Sequence, residues 1–289
     1  HIKDLLSNQP SDAWLVKAQQ TYLNYRDAIK KLKDMKEALS YASSIDTFLI
    51  KHQEFKDFGK ILIAYEIFHA ENKYRINKDD NWMEFLWHKI NSPPDSKDPI
   101  DYSVKFITFN YDKTLENFLF DAIKKYNMIS DKEVVEILNK IDIIHINGKI
   151  GNSYEKESSD YFEFNGFIDT NFLDGFERIA QRIRIIDEAE LGSNEKERIR
   201  KTLESARAIY FLGYGYHDLN NSLIFSESLE MEKVICRGTA YNTGGSFMHD
   251  VRESFKIRYD IDLELFNMKN LEFLQEVAPF NFVDSNNLS

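Results

Sequence analysis

The chain is short of cysteine, glycine and proline, and each shortage removes a class of protein. A single cysteine, Cys236, allows no intramolecular disulfide and no zinc site built from several thiolates. That usage fits a reducing compartment, so the expected location is the cytoplasm. Eleven glycines and five prolines in 289 residues fall below the usual shares of about 7% and 5%. Such a chain predicts long helices rather than many short strands and tight turns, and the collagen-like, low-complexity and repeat classes are excluded. No apolar run approaches the roughly 20 residues of a membrane span, and no signal peptide is visible. No methionine precedes Met35 and no glycine precedes Gly59, so a chain opening at His1 is read as processed, truncated or part of a longer protein.

Positive charge is also in deficit. Against 48 Asp and Glu stand 37 Lys and Arg, a formal net charge of −11. A surface this acidic does not attract nucleic acid or anionic lipid as a whole. Two short basic segments, Lys30-Lys31-Leu32-Lys33 and Arg182-Ile183-Arg184, read as solvated helix faces rather than as a nucleic-acid site. At 43% hydrophobic and 29% charged residues the chain can bury a core, and 289 residues make one large domain or two small ones.

The first hundred residues read as helical. Trp14, Leu15, Ala18, Tyr22, Tyr25, Ile29 and Leu32 recur at three- and four-residue steps and predict a helix over 11–40. Further helices are expected from Ser44, over Phe58 to Asn72, and over Asn81 to Ile90, where Asn81 and Glu84 have the spacing of a capping box. Ser92-Pro93-Pro94-Asp95 then breaks the chain. Beyond it, short apolar runs alternate with polar corners and helices. Strands are expected at Val104–Phe109, Ile141–Ile146, Ala208–Leu212 and Val234–Cys236, and helices at Thr114–Lys125, from Ser130, at Asn194–Arg207, from Leu219 and at Met248–Arg258. Residues 151–175 read as a loop or insertion. The fold class expected is α/β, a Rossmann-like parallel sheet with helices on both faces. The division expected is a helical segment over 1–100 and a Rossmann-like core over 101–289.

In an open parallel sheet, ligands bind beyond the carboxyl ends of the strands. Four strand ends carry polar residues or glycine: Asn110 and Asp112, His145 to Gly148, Gly213 to Asp218, and Gly238 to Asn242. Each has a plain structural reading. Asn110 can cap the following helix, Asp112 can complement its dipole, His145 can be a satisfied strand histidine, and the glycines can serve turns. Their gathering at the ligand-binding edge of one sheet is what makes them candidates.

These segments, Phe106-Ile107-Thr108-Phe109-Asn110-Tyr111-Asp112, Ile144-His145-Ile146-Asn147-Gly148, Ile209-Tyr210-Phe211-Leu212-Gly213-Tyr214-Gly215-Tyr216 and Gly238-Thr239-Ala240-Tyr241, resemble the bacterial sirtuin-like domain, in the defence branch that hydrolyses NAD. Ser43 to Leu49, with Gly59-Lys60, resembles that branch's helical insertion, so the likeness runs from about Ser43 to Asn242. The resemblance implies that Asn110 and His145 are catalytic and that Asp112 engages the nicotinamide carboxamide. It implies that Gly148, Gly213, Tyr214, Gly238 and Thr239 contact NAD, the substrate, with no metal required. His145 would accept a proton near neutral pH, and Asn110 would position water or the ribose hydroxyls. The sequence departs from the family twice. One cysteine cannot form the four-cysteine module of sirtuin deacylases, which argues against lysine deacylation, and the family's opening Gly-rich phosphate loop is not among these residues, so it is expected either to precede His1 in a longer protein or to have been lost. The function implied is an NAD glycohydrolase, a triggered NAD-depleting effector of anti-phage defence. Homo-oligomerisation and pairing with a helicase-like ATPase are implied by the family alone. A catalytically silent sirtuin-like module, binding NAD or ADP-ribose or only a protein partner, is the competing expectation. Aromatic residues of the helical block and of 151–190, among them Tyr22, Tyr25, Tyr41, Trp82, Trp87, Tyr161 and Phe162, are read either as core or as contacts for such partners.

Overall fold

The computed structural model describes residues 33–42, 45–73, 81–91, 100–150, 180–185, 191–225, 229, 231 and 234–278, with side chains given through 67 in the second of these spans. Residues 11–32 of the helix expected over 11–40, and the loop over 151–175, lie outside them, as do Tyr22, Tyr25, Tyr161 and Phe162. The chain forms two compact units. One comprises His1–Arg75, Thr108–Phe120 and His145–Glu190; the other comprises Ile76–Ile107, Asp121–Ile144 and Leu191–Ser289. Neither is contiguous, unlike the division at residue 100 expected from the change in sequence texture.

The described elements are α1 (Ile45–Lys51), α2 (Lys56–Lys73), α3 (Trp82–Ile90), β1 (Phe106–Thr108), α4 (Thr114–Asn127), α5 (Asp131–Leu138), β2 (Ile143–His145), α6 (Ser193–Glu204), β3 (Ala208–Phe211), α7 (Asp218–Ile224), β4 (Ile235–Thr239), α8 (Gly245–Tyr259), β5 (Leu263–Phe266) and α9 (Asn270–Glu276). A helical stretch over 33–39 precedes α1. The fold class is the α/β, Rossmann-like one expected: β1 pairs with β2, β3, β4 and β5 form a second sheet, and the pairing is parallel. Among the described residues, no helix is long and apolar enough to cross a membrane.

The first unit is built on helices. Met35 and Leu39, one turn apart, are buried with Phe48 and Leu49 of α1 and with Leu62, Ile63 and Ala64 of α2. Ile150, Ile183 and Ile185 close the same core, and Tyr111 packs against it. Three- and four-residue spacing sends these apolar side chains to one side of each helix, and their burial away from water holds the helices together.

In the second unit, the period of two along β3 divides the side chains between two faces. Phe211 faces a cluster of Tyr214, Tyr216, Phe225 and Phe255, with ring centroids 5.6–6.3 Å from its own. Tyr210 and Leu212 face the other way, onto a cluster that includes Phe273 and Leu274 of α9, against which Trp82 and Phe85 of α3 also pack. Helices therefore cover both faces of this sheet. Trp87 is buried, as a core residue would be, whereas Tyr41 is exposed.

Local signals set the helix starts. Ser130 and Glu133 form a reciprocal capping box at α5: Glu133 N–H reaches Ser130 Oγ, and Ser130 N–H donates to Glu133 Oε2 at 2.8 Å. The Asn81–Glu84 pair differs. Asn81 Oδ1 accepts from Glu84 N–H at 3.2 Å, but the return bond runs from Asn81 Nδ2 to Glu84 Oε2. Both cap side chains donate to their glutamate, Ser130 Oγ at 2.6 Å and Asn81 Nδ2 at 3.1 Å; the serine adds its backbone N–H.

Two expectations about strands are corrected. Gly238 and Thr239 do not follow the fourth strand as a turn; they are its last two residues. The segment after α8 contains β5, a strand beyond the four expected, which pairs with β4.

Candidate functional site

The two corners of the first unit lie at the same edge of one sheet, because β1 and β2 run in parallel. Ile146 N–H donates to the Thr108 carbonyl at 2.9 Å, so the chain after β2 continues beside the chain after β1. Asn147 Nδ2 donates to the Phe109 carbonyl at 3.2 Å and fastens the two corners again. The Asn110 side chain is exposed at this edge, and its backbone N–H is held by Thr108 Oγ1 at 3.0 Å.

His145 ends β2 and is held from both sides. Its Nδ1 lies 3.1 Å from the Asn110 backbone carbonyl, and its Nε2 lies 2.8 Å from Glu116 Oε1. The two side chains are buried, with 7% and 4% of their surfaces exposed. Glu116 stands in the first turn of α4, where the unpaired N–H groups of a helix start favour a carboxylate. Burial raises the proton affinity of Glu116. The hydrogen bond and charge of His145, the residue's own N–H, and Lys149 outweigh it and hold the carboxyl below its ordinary range. Lys149 Nζ is 3.7 Å from Oε1, while the second oxygen, Oε2, is buried with no hydrogen-bond partner among the described residues.

Asp112 has a structural task at the same corner. Its Oδ1 accepts from Thr114 N–H at 3.0 Å, an Asx turn that starts α4. Gly148 has one too. It adopts φ +77°, and a Cβ there would overlap the Arg182 carbonyl, so the glycine admits the close passage of residues 182–184. Arg184 N–H donates to the Asn147 carbonyl at 2.8 Å in that passage. Asp46 Oδ1 lies 3.4 Å from the Tyr111 hydroxyl.

The remaining candidates lie at the carboxyl edge of β3–β4–β5 in the second unit. Gly213, with φ +60°, turns the chain after β3, and its N–H donates to Thr239 Oγ1 at 2.9 Å. That hydroxyl reaches Asn270 Oδ1 at 3.1 Å, so one threonine ties the ends of β3 and β4 to the start of α9. The Tyr214 hydroxyl donates to Asn221 Oδ1 at 2.8 Å, and burial drives its ionisation far above the usual tyrosine range. Gly238 is covered by Tyr216, whose hydroxyl would collide with any Cβ at that position. Asp218 pairs with Arg258 at 3.0 Å on the surface.

The structure thus brings Asn110, Asp112, His145 and Gly148 together in one unit, and Gly213, Tyr214, Gly238 and Thr239 together in the other. Sequence reasoning missed Glu116. Its only sequence signal is an acid in the first turn of a helix, which is common; its partner stands 29 residues away and meets it through strand pairing. Among the described residues, no group of three or more His, Cys, Asp or Glu side chains has the proximity of a metal site. The chain has no significant match among protein-family models, curated proteins or solved structures.

Proposed function

We propose that this chain is an NAD glycohydrolase that releases nicotinamide and ADP-ribose. The reading rests on the likeness of its strand-end segments to the NAD-hydrolysing sirtuin-like branch, and one observation carries it further. The exposed Asn110 stands at a strand end beside a buried His145–Glu116 pair, with the imidazole 3.1 Å from the Asn110 carbonyl. A structural capping asparagine does not require an ionisable pair behind it.

The reaction asks little covalent help of the protein. The bond from C1′ of the ribose to nicotinamide breaks, and its electron pair leaves with nicotinamide as a neutral base. Positive charge grows on the ribose, water adds at C1′, and one proton is released. Asn110 would hold water or the ribose hydroxyls through its amide. Asp112 would offer the carboxamide the oxygen not used in its Asx turn. His145 would take the proton, a role worth about 10²–10⁴-fold in rate. Depletion of cytoplasmic NAD in anti-phage defence, under the control of self-assembly or of an ATPase partner, belongs to the same reading.

One observation favours the silent NAD- or ADP-ribose-binding module. Both nitrogens of His145 already face acceptors, so in this arrangement neither is free to take a proton. Nicotinamide release from NAD, measured for the full chain with any co-purifying partner, separates the two. Release that is lost in both Asn110→Ala and His145→Ala supports the hydrolase. Measurable NAD binding without release under any condition supports the silent module.

A further inference from the structure

We propose that Glu116 is a positioning residue for His145, fixing a proton on Nε2 so that Nδ1, on the Asn110 side of the ring, is the nitrogen that exchanges protons with a ligand. The inference rests on the NAD-hydrolase reading for its catalytic meaning, but not for its geometry.

The argument is one of donors and acceptors. Nε2 lies 2.8 Å from Glu116 Oε1. Two arrangements satisfy that contact: an N–H donating to a carboxylate, or a carboxylic acid donating to a bare nitrogen. The surroundings favour the first. The Lys149 ammonium lies 3.7 Å from the same oxygen, and Glu116 stands in the first turn of α4, where the positive end of the helix dipole favours a carboxylate.

With Nε2 protonated, the orientation of the ring follows. Nδ1 meets the Asn110 carbonyl, which can only accept, so that contact holds only while Nδ1 also carries a proton. A ligand that draws the Asn110 carbonyl aside lets that proton leave and exposes an Nδ1 lone pair at the strand edge. During hydrolysis the water oxygen bonds to C1′, the C1′–nicotinamide bond breaks, and the water proton passes to Nδ1. The imidazolium formed lies against the Glu116 carboxylate, which offsets its charge, and the proton later returns to solvent. A carboxylate behind one imidazole nitrogen, leaving the other to act, is the division of labour of catalytic triads.

The test has two independent readouts. Nitrogen-15 NMR of the intact wild-type protein assigns the protonated ring nitrogens of His145, identified by the signals missing in His145→Gln. The expected result is a protonated Nε2 both with and without bound ADP-ribose. A neutral ring protonated on Nδ1 alone would overturn the proposal, and this needs neither a variant nor activity. In Glu116→Gln, which keeps size and shape and loses the charge, the expected results are loss of the Nε2 preference, a kcat lower by about 10²-fold or more, and a KM within about twofold. Unchanged kcat in an active parent would also overturn it. A parent that shows the expected nitrogen signals but releases no nicotinamide would defeat the hydrolase reading and leave the Glu116–His145 pairing standing.

Discussion

The Tyr216 hydroxyl occupies the place where residue 238 would carry a Cβ, and it donates from there to the neighbouring Thr239 carbonyl at 3.2 Å. The glycine one residue before the end of β4 is therefore explained by packing: its bare Cα admits a buried tyrosine from the corner after β3. Tyr216 itself has φ +53°, a conformation that its hydroxyl bond and its contacts with Phe211 and Phe255 hold in place.

Gly238→Ala is expected to destabilise the chain by about 1–3 kcal/mol, the usual range for an overfilled core. The Cβ would also stand 2.9 Å from Phe211 Cβ, which cannot rotate away. Tyr216→Phe removes the colliding oxygen and one hydrogen bond, at about 1 kcal/mol. The two substitutions together should cost less than their sum, because the second relieves part of the strain caused by the first. Urea midpoints of the two single variants and the double variant measure this. Strict additivity would mean that Tyr216 does not occupy the space over Gly238.

Gly148 makes the same argument against a harder neighbour. Its Cβ would meet the carbonyl of Arg182, which is backbone, and its φ of +77° is itself costly for any residue with a side chain. Gly148→Ala should therefore lose more than Gly238→Ala, about 2–4 kcal/mol, from conformational strain and overlap combined. Asn147 and Arg184 are bonded across the same passage, so amide exchange at Arg184 should quicken with the loss. An Ala variant as stable as the parent would show that residues 182–184 can withdraw without cost.

What the sequence revealed and what it hid both have physical reasons. Helices were legible because their signals are local: three- and four-residue apolar spacing, and caps such as Ser130 with Glu133. The strands β1, β2 and β3 stood out as compact apolar runs. β5 did not, because Leu263, Glu264 and Leu265 alternate between buried and exposed, as in a strand with one face in water, and acidic residues precede it. β4 looked as if it ended at Gly238, since a glycine that makes room for a distant tyrosine has the same letter as one that makes a turn. The corner residues were found because parallel strands end at the same edge of their sheet, although the four corners expected on one sheet divide between β1–β2 and β3–β4–β5. Glu116 was not, because an acid in a first helical turn carries no mark of the histidine it will meet across the sheet.

Alkaline conditions test the second unit's buried acids. Burial, with Asp262 nearby, pushes the Cys236 thiol from 9.0 up to about 12. Burial likewise lifts Tyr210 from 10.0 to about 12 against the opposing charge of Arg237, and it raises Tyr214 and Tyr216 further. All four groups bind their protons more tightly in the folded chain than in the unfolded one. Above its ordinary value each group is deprotonated when unfolded and still protonated when folded, so the unfolded state gains stability as pH rises. Their contribution is thus complete below about pH 9 and is lost progressively toward about pH 12. The urea midpoint is expected to fall in that window, steepening once the tyrosines join the cysteine near pH 10. Cys236→Ala removes the first titrating group and should move the onset upward by about one pH unit, toward the tyrosine range. A midpoint that stays level to pH 11 in the parent would show these groups to be hydrated in the folded chain rather than buried against one another.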